Sequence, residues 1–529
     1  MVKLKYSIII ALMVIFTMTG VVRAALPGTG WWSAVWMQNI NNDKDDDPTN
    51  DSGTVMMTAY DSDPAGTDDT TSQTFSFDLA KSLVYDPGKD PNYSSGGNII
   101  GFDPPLKSGF EGSVILSSTV PAASVSQIAN YPNGEVGGTG TATAMYQGIN
   151  KDILDTTLLA PTIKHNYSKA TTTLYIQAAG GDAEVTVDYT MADGGTYSQT
   201  ASIPANRSFL FDPMNAGVPY ENCGYDTMVS PCFGSAVITS TANIAGVLLE
   251  HPHSGTPVTY VQAIRLSTPS DISTKLYVPA VKNNFCGSSG CGTAGAEVMN
   301  VGTEDAEVTI RLTVSKLGTN AAAGVSKGDV FTDSAIIPPG ENYNFSKWND
   351  NLGGLPVGTM AAAVIESTNG QNLVGASNDT KTQPNYPETV KIKYSLFSDD
   401  LATPEAYVPM IKEFYGIFTG GVDVQNVGDN PDYINIEYHS YGSDDVCTLR
   451  TKDMVPVGGA AETHWVSVIG QNQFTLSGDC DNFGWLAGKQ FSIKAYTDSG
   501  EDIVMMATEN TPQSQLDISR YEGVNLGAD

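Results

Sequence analysis

The chain has 529 residues, room for three or four domains of roughly 100 to 150 residues each. Its 58 acidic against 27 basic residues leave a formal net charge of −31, so phosphate backbones and anionic lipid are repelled and nucleic acid is excluded as a partner. With 53 glycines, 24 tyrosines, only 16 % charged residues and no long Ala/Leu/Glu/Lys-rich stretch, a helical protein is excluded too, and β-structure with many turns is predicted.

The text opens with "MVKLKYSIIIALMVIFTMTGVVRAALPGTG": two lysines, an apolar run over 8–18, and small residues at Val22 and Ala24. This predicts a secretory signal over 1–24, removed after Ala24. An uncleaved anchor fits less well, because the run is short for a span of ~20 residues. The protein is therefore expected outside the cell, at the cell surface, with no stable membrane anchor after cleavage.

Directly behind lie Trp31, Trp32 and Trp36. Trp32 and Trp36 share strand parity, which suits a sandwich core. The competing expectation is a docking platform for a sugar or a neighbouring subunit. Next comes "NINNDKDDDPTNDSGT", where Asp43, Asp45 and Asp47 alternate as in a calcium loop. Pro48 and Thr54 stand where an EF-hand needs Gly and Glu, so that motif is rejected. A looser calcium site remains the one cofactor expectation, against a plain solvated acidic loop, which is favoured.

Further on the text repeats itself. "LAPTIKHNYSKATTTLYIQAAGGDAEVTVDY", "YVPAVKNNFCGSSGCGTAGAEVMNVGTEDAEVTIRLTV" and "YVPMIKEFYGIFTGGVDVQNVGDNPDYINIEYHSY" share an apolar-Pro-Lys opening, a break, and two strands. Gln38, Gln177, Met299 and Gln425 hold matching places. The implied units are 25–155, carrying the acidic insert, then 156–272, 273–402 and 403–529. Lys164, Lys282 and Lys412 are expected as exposed charges on the linkers. In "AEVTIRLTV", Val308, Ile310, Leu312 and Val314 fall on one face and polar residues on the other, the mark of a half-buried antiparallel strand. Turn signals such as "DGG" and "PPG" follow, so tandem β-sandwiches are predicted. Asn before Gly, as in "NVGT" and "NVGD", reads as a turn device that satisfies backbone groups.

The six cysteines suggest local disulfides, Cys223 with Cys232, Cys286 with Cys291 and Cys447 with Cys480, although sequence alone allows fifteen pairings. Zinc is disfavoured, because no CxxC and no suitably spaced His occur. GxSxG, HExxH and phosphate-loop motifs are missing, so no catalytic residue is predicted and no enzyme is expected. His251 and His253 could share a face, yet the sequence puts no third ligand near them.

The pieces "TTTLYIQAAGGDAEVTVDYT", "YVPMIKEFYG" and "GVDVQNVG" resemble uncharacterised secreted bacterial cell-surface repeat proteins with the pattern "vP.vmk.yyg..tg..vqN.g" followed by "GsavvsS". The resemblance implies immunoglobulin-like sandwich units and a structural role: a sheath, surface-layer or filament subunit, or a stalk. The alternative is an adhesin or carbohydrate-binding protein. Expected partners are copies of the chain, other cell-surface components or polysaccharide. Tandem units touch mainly their neighbours, so a rod is the natural expectation, while the sequence leaves open a chain that folds back.

Overall fold

The computed structural model describes residues 31–39, 52–62, 70–77, 82–85, 99–106, 110–130, 142–221, 223, 230–253, 260–287, 290–383, 386–415, 418–441, 443, 445–464, 466–469, 473–510 and 518–525. The predicted signal and the calcium candidates Asp43, Asp45 and Asp47 lie outside them. The chain is nearly all β, in several sheets that are antiparallel but for one short pairing.

One plan recurs four times. In the third unit, a first layer orders Val330–Ile337, Ala306–Leu317, Thr359–Ser367 and Lys275–Gly287. A second layer orders Asn342–Phe345, Gly290–Asn300, Leu373–Gln383 and Tyr386–Ile392. The alternating apolar residues Val308, Ile310, Leu312 and Val314 point between the layers and are buried. The first unit has the same second layer in Ser82–Tyr85, Trp31–Asn39, Ala122–Asn130 and Ala142–Gln147, but the strand equivalent to Lys275–Gly287 is not among its described residues. In the second unit one 20-residue strand, Phe233–Pro252, runs through both layers.

The apolar-Pro-Lys opening is the strand that leads into each later unit. Its register slips at Pro161, Pro279 and Pro409, between Ala160 and Ile163, Val278 and Val281, and Val408 and Ile411. Proline cannot donate to a ladder, so a bulge is where a strand tolerates it. The Asn device is equally regular. Asn300 donates to the carbonyls of Glu304 and Ile337 and accepts from Gly302 N–H. Asn426 does the same with Asn430, Val455 and Gly428, and Asn39 donates to Phe77 O. One side chain thus ties the turn behind it to the hairpin crossing above.

The units do not form a rod. Each presents the outer face of its second layer to the unit before it, and the first unit presents that face to the fourth. Ala142 and Ala144 pack with Val247, Leu249, Val261 and Ala263 across the first seam. Leu159 meets Met299 and Val374 across the second, and Val504 and Met506 enter the core of the third unit. Ala34, Trp36, Val125 and Met145 of the first unit belong to the core of the fourth. This head-to-tail packing closes into a cycle. The expectation of a rod fails because it considered only chain neighbours, whereas the outer face of Trp31–Asn39 is itself apolar.

Candidate functional site: the charged seams

Three residues past each bulge proline comes a lysine, and the structure corrects its expected exposure. Lys164 Nζ lies 3.0 Å from Glu250 Oε2, Lys282 Nζ 2.7 Å from Asp379 Oδ2, and Lys412 Nζ 3.0 Å from Glu509 Oε2. Their side chains are only 5 %, 15 % and 7 % exposed. The bulge turns the lysine inward, and a charge so placed needs a partner. The acid stands at one fixed register, opposite Thr172, Ala294 and Gly420. In the first unit, where no lysine strand is among the described residues, Ile128 opposite Ser33 takes that register.

A second register points outward into the preceding unit. It holds Trp36, Tyr175, Glu297 and Asp423, paired with Val125, Val247, Ala376 and Met506. Glu297 reaches Lys393 at 2.6 Å and Lys164 at 3.7 Å. Glu250 completes the cluster at 3.6 Å from Lys393 and 3.8 Å from Lys391. Three lysines therefore share two glutamates, all buried except Lys391, whose side chain is 18 % exposed. Burial opposes ionisation of Glu250, but Lys164, Lys393 and Lys391 outweigh it and hold the carboxyl down at about 2. Burial dominates at Lys391, which drops to about 8 despite Glu250. Its ammonium also sits 4.9 Å from the centre of the Tyr260 ring.

Between the third and fourth units an open groove of about 320 Å³ is lined by Lys275, Tyr277, Arg311, Glu366 and Asp429 among others. Lys316 of the third unit reaches Glu462 of the fourth at 2.5 Å. At the closing seam Lys412 lies 5.4 Å from the Trp36 ring centre.

Trp36 is 6 % exposed, and Trp31 packs at the first seam, so both serve contacts within the chain; the Trp32 side chain lies outside the description. The disulfides join Cys223 to Cys232, Cys286 to Cys291 and Cys447 to Cys480. His251 and His253 gain a neighbour that sequence spacing hid: the His165 ring lies 5.6 Å from that of His253, with Tyr220 against both. Burial pushes all three imidazoles below the ordinary histidine value.

No protein-family model matches the chain, and no curated protein does. Among solved structures it is similar to a tetra-tandem repeat in the extending region of a large adhesion protein. That likeness has 11 % identity over 89 % of this chain and 92 % of the other, at a TM-score of 0.09. A superposition that loose carries no argument.

Proposed function

We propose that this chain is a non-enzymatic structural protein of the cell exterior that assembles through the outer edges of its sandwiches. One observation carries the reading. The strands Thr70–Phe77, Thr196–Ile203, Val330–Ile337 and Phe474–Gly478 each end a sheet and together hold a single charged residue, Asp333. Soluble proteins usually block such edges with lysine, proline or a cover. Here they are rows of Ser and Thr, covered in the third unit only where Gly353 lies against Thr332 and donates to Asp333, and Val330 and Ile336 are 45 % and 65 % exposed. Unpaired strands of that kind add to a neighbour's sheet. The closed cycle supplies a rigid block, and three disulfides fit an oxidising exterior.

Electron microscopy of the native cell surface, with the chain labelled, is the test. Ordered arrays or fibres containing it, lost in Ser334→Lys while the circular-dichroism spectrum persists, support assembly. A chain found only as free monomers refutes it. The groove between the third and fourth units favours a second reading, as a binder of polar polymers. Binding on a glycan array that disappears in Arg311→Ala is its signature.

A further inference from the structure

We propose that Asp423, Glu462 and His464 bind one divalent transition-metal ion of the zinc class beside the seam between the third and fourth units. Asp423 stands opposite Glu462 in the ladder between Thr419–Asn426 and Ala460–Glu462. Directly opposed residues project to the same face, and His464 follows two positions later. Gly421 admits this approach, because a Cβ there would meet His464 N at 2.7 Å.

One ligand atom from each residue lies within 4.8 Å of the other two. His464 Nε2 and Asp423 Oδ2 are 3.7 Å apart, beyond good hydrogen-bond range. Two ligands of a tetrahedral zinc ion, each at 2.0–2.1 Å, stand about 3.3 Å apart, so a small rotamer adjustment closes the site. The Asp423 side chain is fully buried, while His464 and Glu462 are each 13 % exposed. The site thus has an anchored inner ligand and an open rim, which leaves a coordination position for water. Calcium takes oxygen ligands alone; an imidazole beside carboxylates favours a transition metal.

The fold does not require these donors. The same three ladder positions hold Tyr175, Leu210 and Asp212 in the second unit, and Glu297, Asn344 and Ser346 in the third. Lys316 now supplies the positive charge at Glu462. Its side chain is 24 % exposed and can swing into solvent when an ion enters. Lysine and metal therefore compete for one carboxylate.

The full chain is titrated with Co²⁺ and Zn²⁺ in excess Ca²⁺, which occupies nonspecific acidic surface. Expected are visible cobalt absorption bands saturating at one ion per chain and a melting temperature that rises with Zn²⁺. His464→Gln and Glu462→Gln weaken binding by at least about tenfold, since loss of even an outer-shell partner does so, and Lys316→Ala tightens it. Wild-type protein without saturable cobalt bands overturns the proposal whatever the variants do. Bands unchanged in His464→Gln overturn it equally.

Discussion

At the seam between the second and third units, Glu297 meets Lys393 and Lys164 in a buried cluster of five charges. At the seam that closes the cycle, the residue on the same register is Trp36, set in the apolar core of the fourth unit. One ladder position therefore serves two chemistries. Apolar burial is strong but accepts many shapes, whereas a buried ion needs its own counter-ion. If the first unit's tryptophan face docked where Glu297 sits, Lys393 would lose its closest acid. We read the charges as fixing which units become neighbours, and the tryptophan face as closing the cycle once they are.

The largest expected effect comes from Glu250→Ala, which leaves Lys164, Lys391 and Lys393 sharing Glu297 alone. Stripping one member from a buried ion network costs about 3–5 kcal/mol, readable in urea denaturation. The same carboxyl sets an acid limit. Its folded value of about 2 lies below the ordinary glutamate range, so its contribution is complete above about pH 4.5 and is lost as pH falls toward about 2. A Glu250→Ala loss below ~1 kcal/mol would mean that water reaches the cluster and that the contrast between the seams is overdrawn.

Trp36→Ala tests the other seam. Removing a buried tryptophan costs about 3–5 kcal/mol, and here it loosens the contact that returns the first unit to the fourth. Small-angle scattering should show a larger radius of gyration for this variant and an unchanged one for Glu250→Ala. Equal radii would show that closure rests on the chain path rather than on Trp36. A milder comparison uses the pair behind that ring. Lys412→Met alone strands Glu509, whereas Lys412→Met with Glu509→Leu replaces both charges by apolar bulk and should stay within about 1 kcal/mol of wild type.

Alternation in segments such as "AEVTIRLTV", the repeated apolar-Pro-Lys opening and the turn asparagines were legible in the sequence because each is a local device, whereas the bulges at Pro161, Pro279 and Pro409 show only in the ladder register. The lysine partners were not legible either, since Glu250, Asp379 and Glu509 follow 86, 97 and 97 residues later. A signal did exist: an acid at one register in the three units whose lysine strand is described, and Ile128 in the first unit, where none is among the described residues. The closed cycle was hidden for another reason. It depends on the outer faces of the second layers, where Ala34 and Trp36 look like ordinary core residues. The cluster of Asp423, Glu462 and His464 was hidden because strand pairing, not spacing, sets Asp423 beside the other two.

The smallest expected effect falls where the strand Ile518–Glu522 reaches units other than its own. Glu522 is buried, and one carboxylate oxygen accepts from Ser395 N–H. Ser395 in turn donates to the carbonyl of Arg265 at 3.0 Å. The other carboxylate oxygen has no hydrogen-bond partner among the described residues. Burial raises the Glu522 carboxyl above the ordinary glutamate value, and the nearby Arg265 charge only partly offsets this. A raised folded value means that the stability tied to its proton is present below about pH 4.5 and is lost as pH rises through the folded value. Glu522→Gln keeps the accepting oxygen and removes the charge, so at pH 7 it should stabilise the chain. That gain should shrink toward zero in acid, where wild type is protonated too. Thermal melts at pH 7 and pH 4 measure the difference. A variant less stable than wild type at pH 7 would show that the Arg265 attraction outweighs burial, extending the charge-paired logic of the second seam to the place where the chain closes.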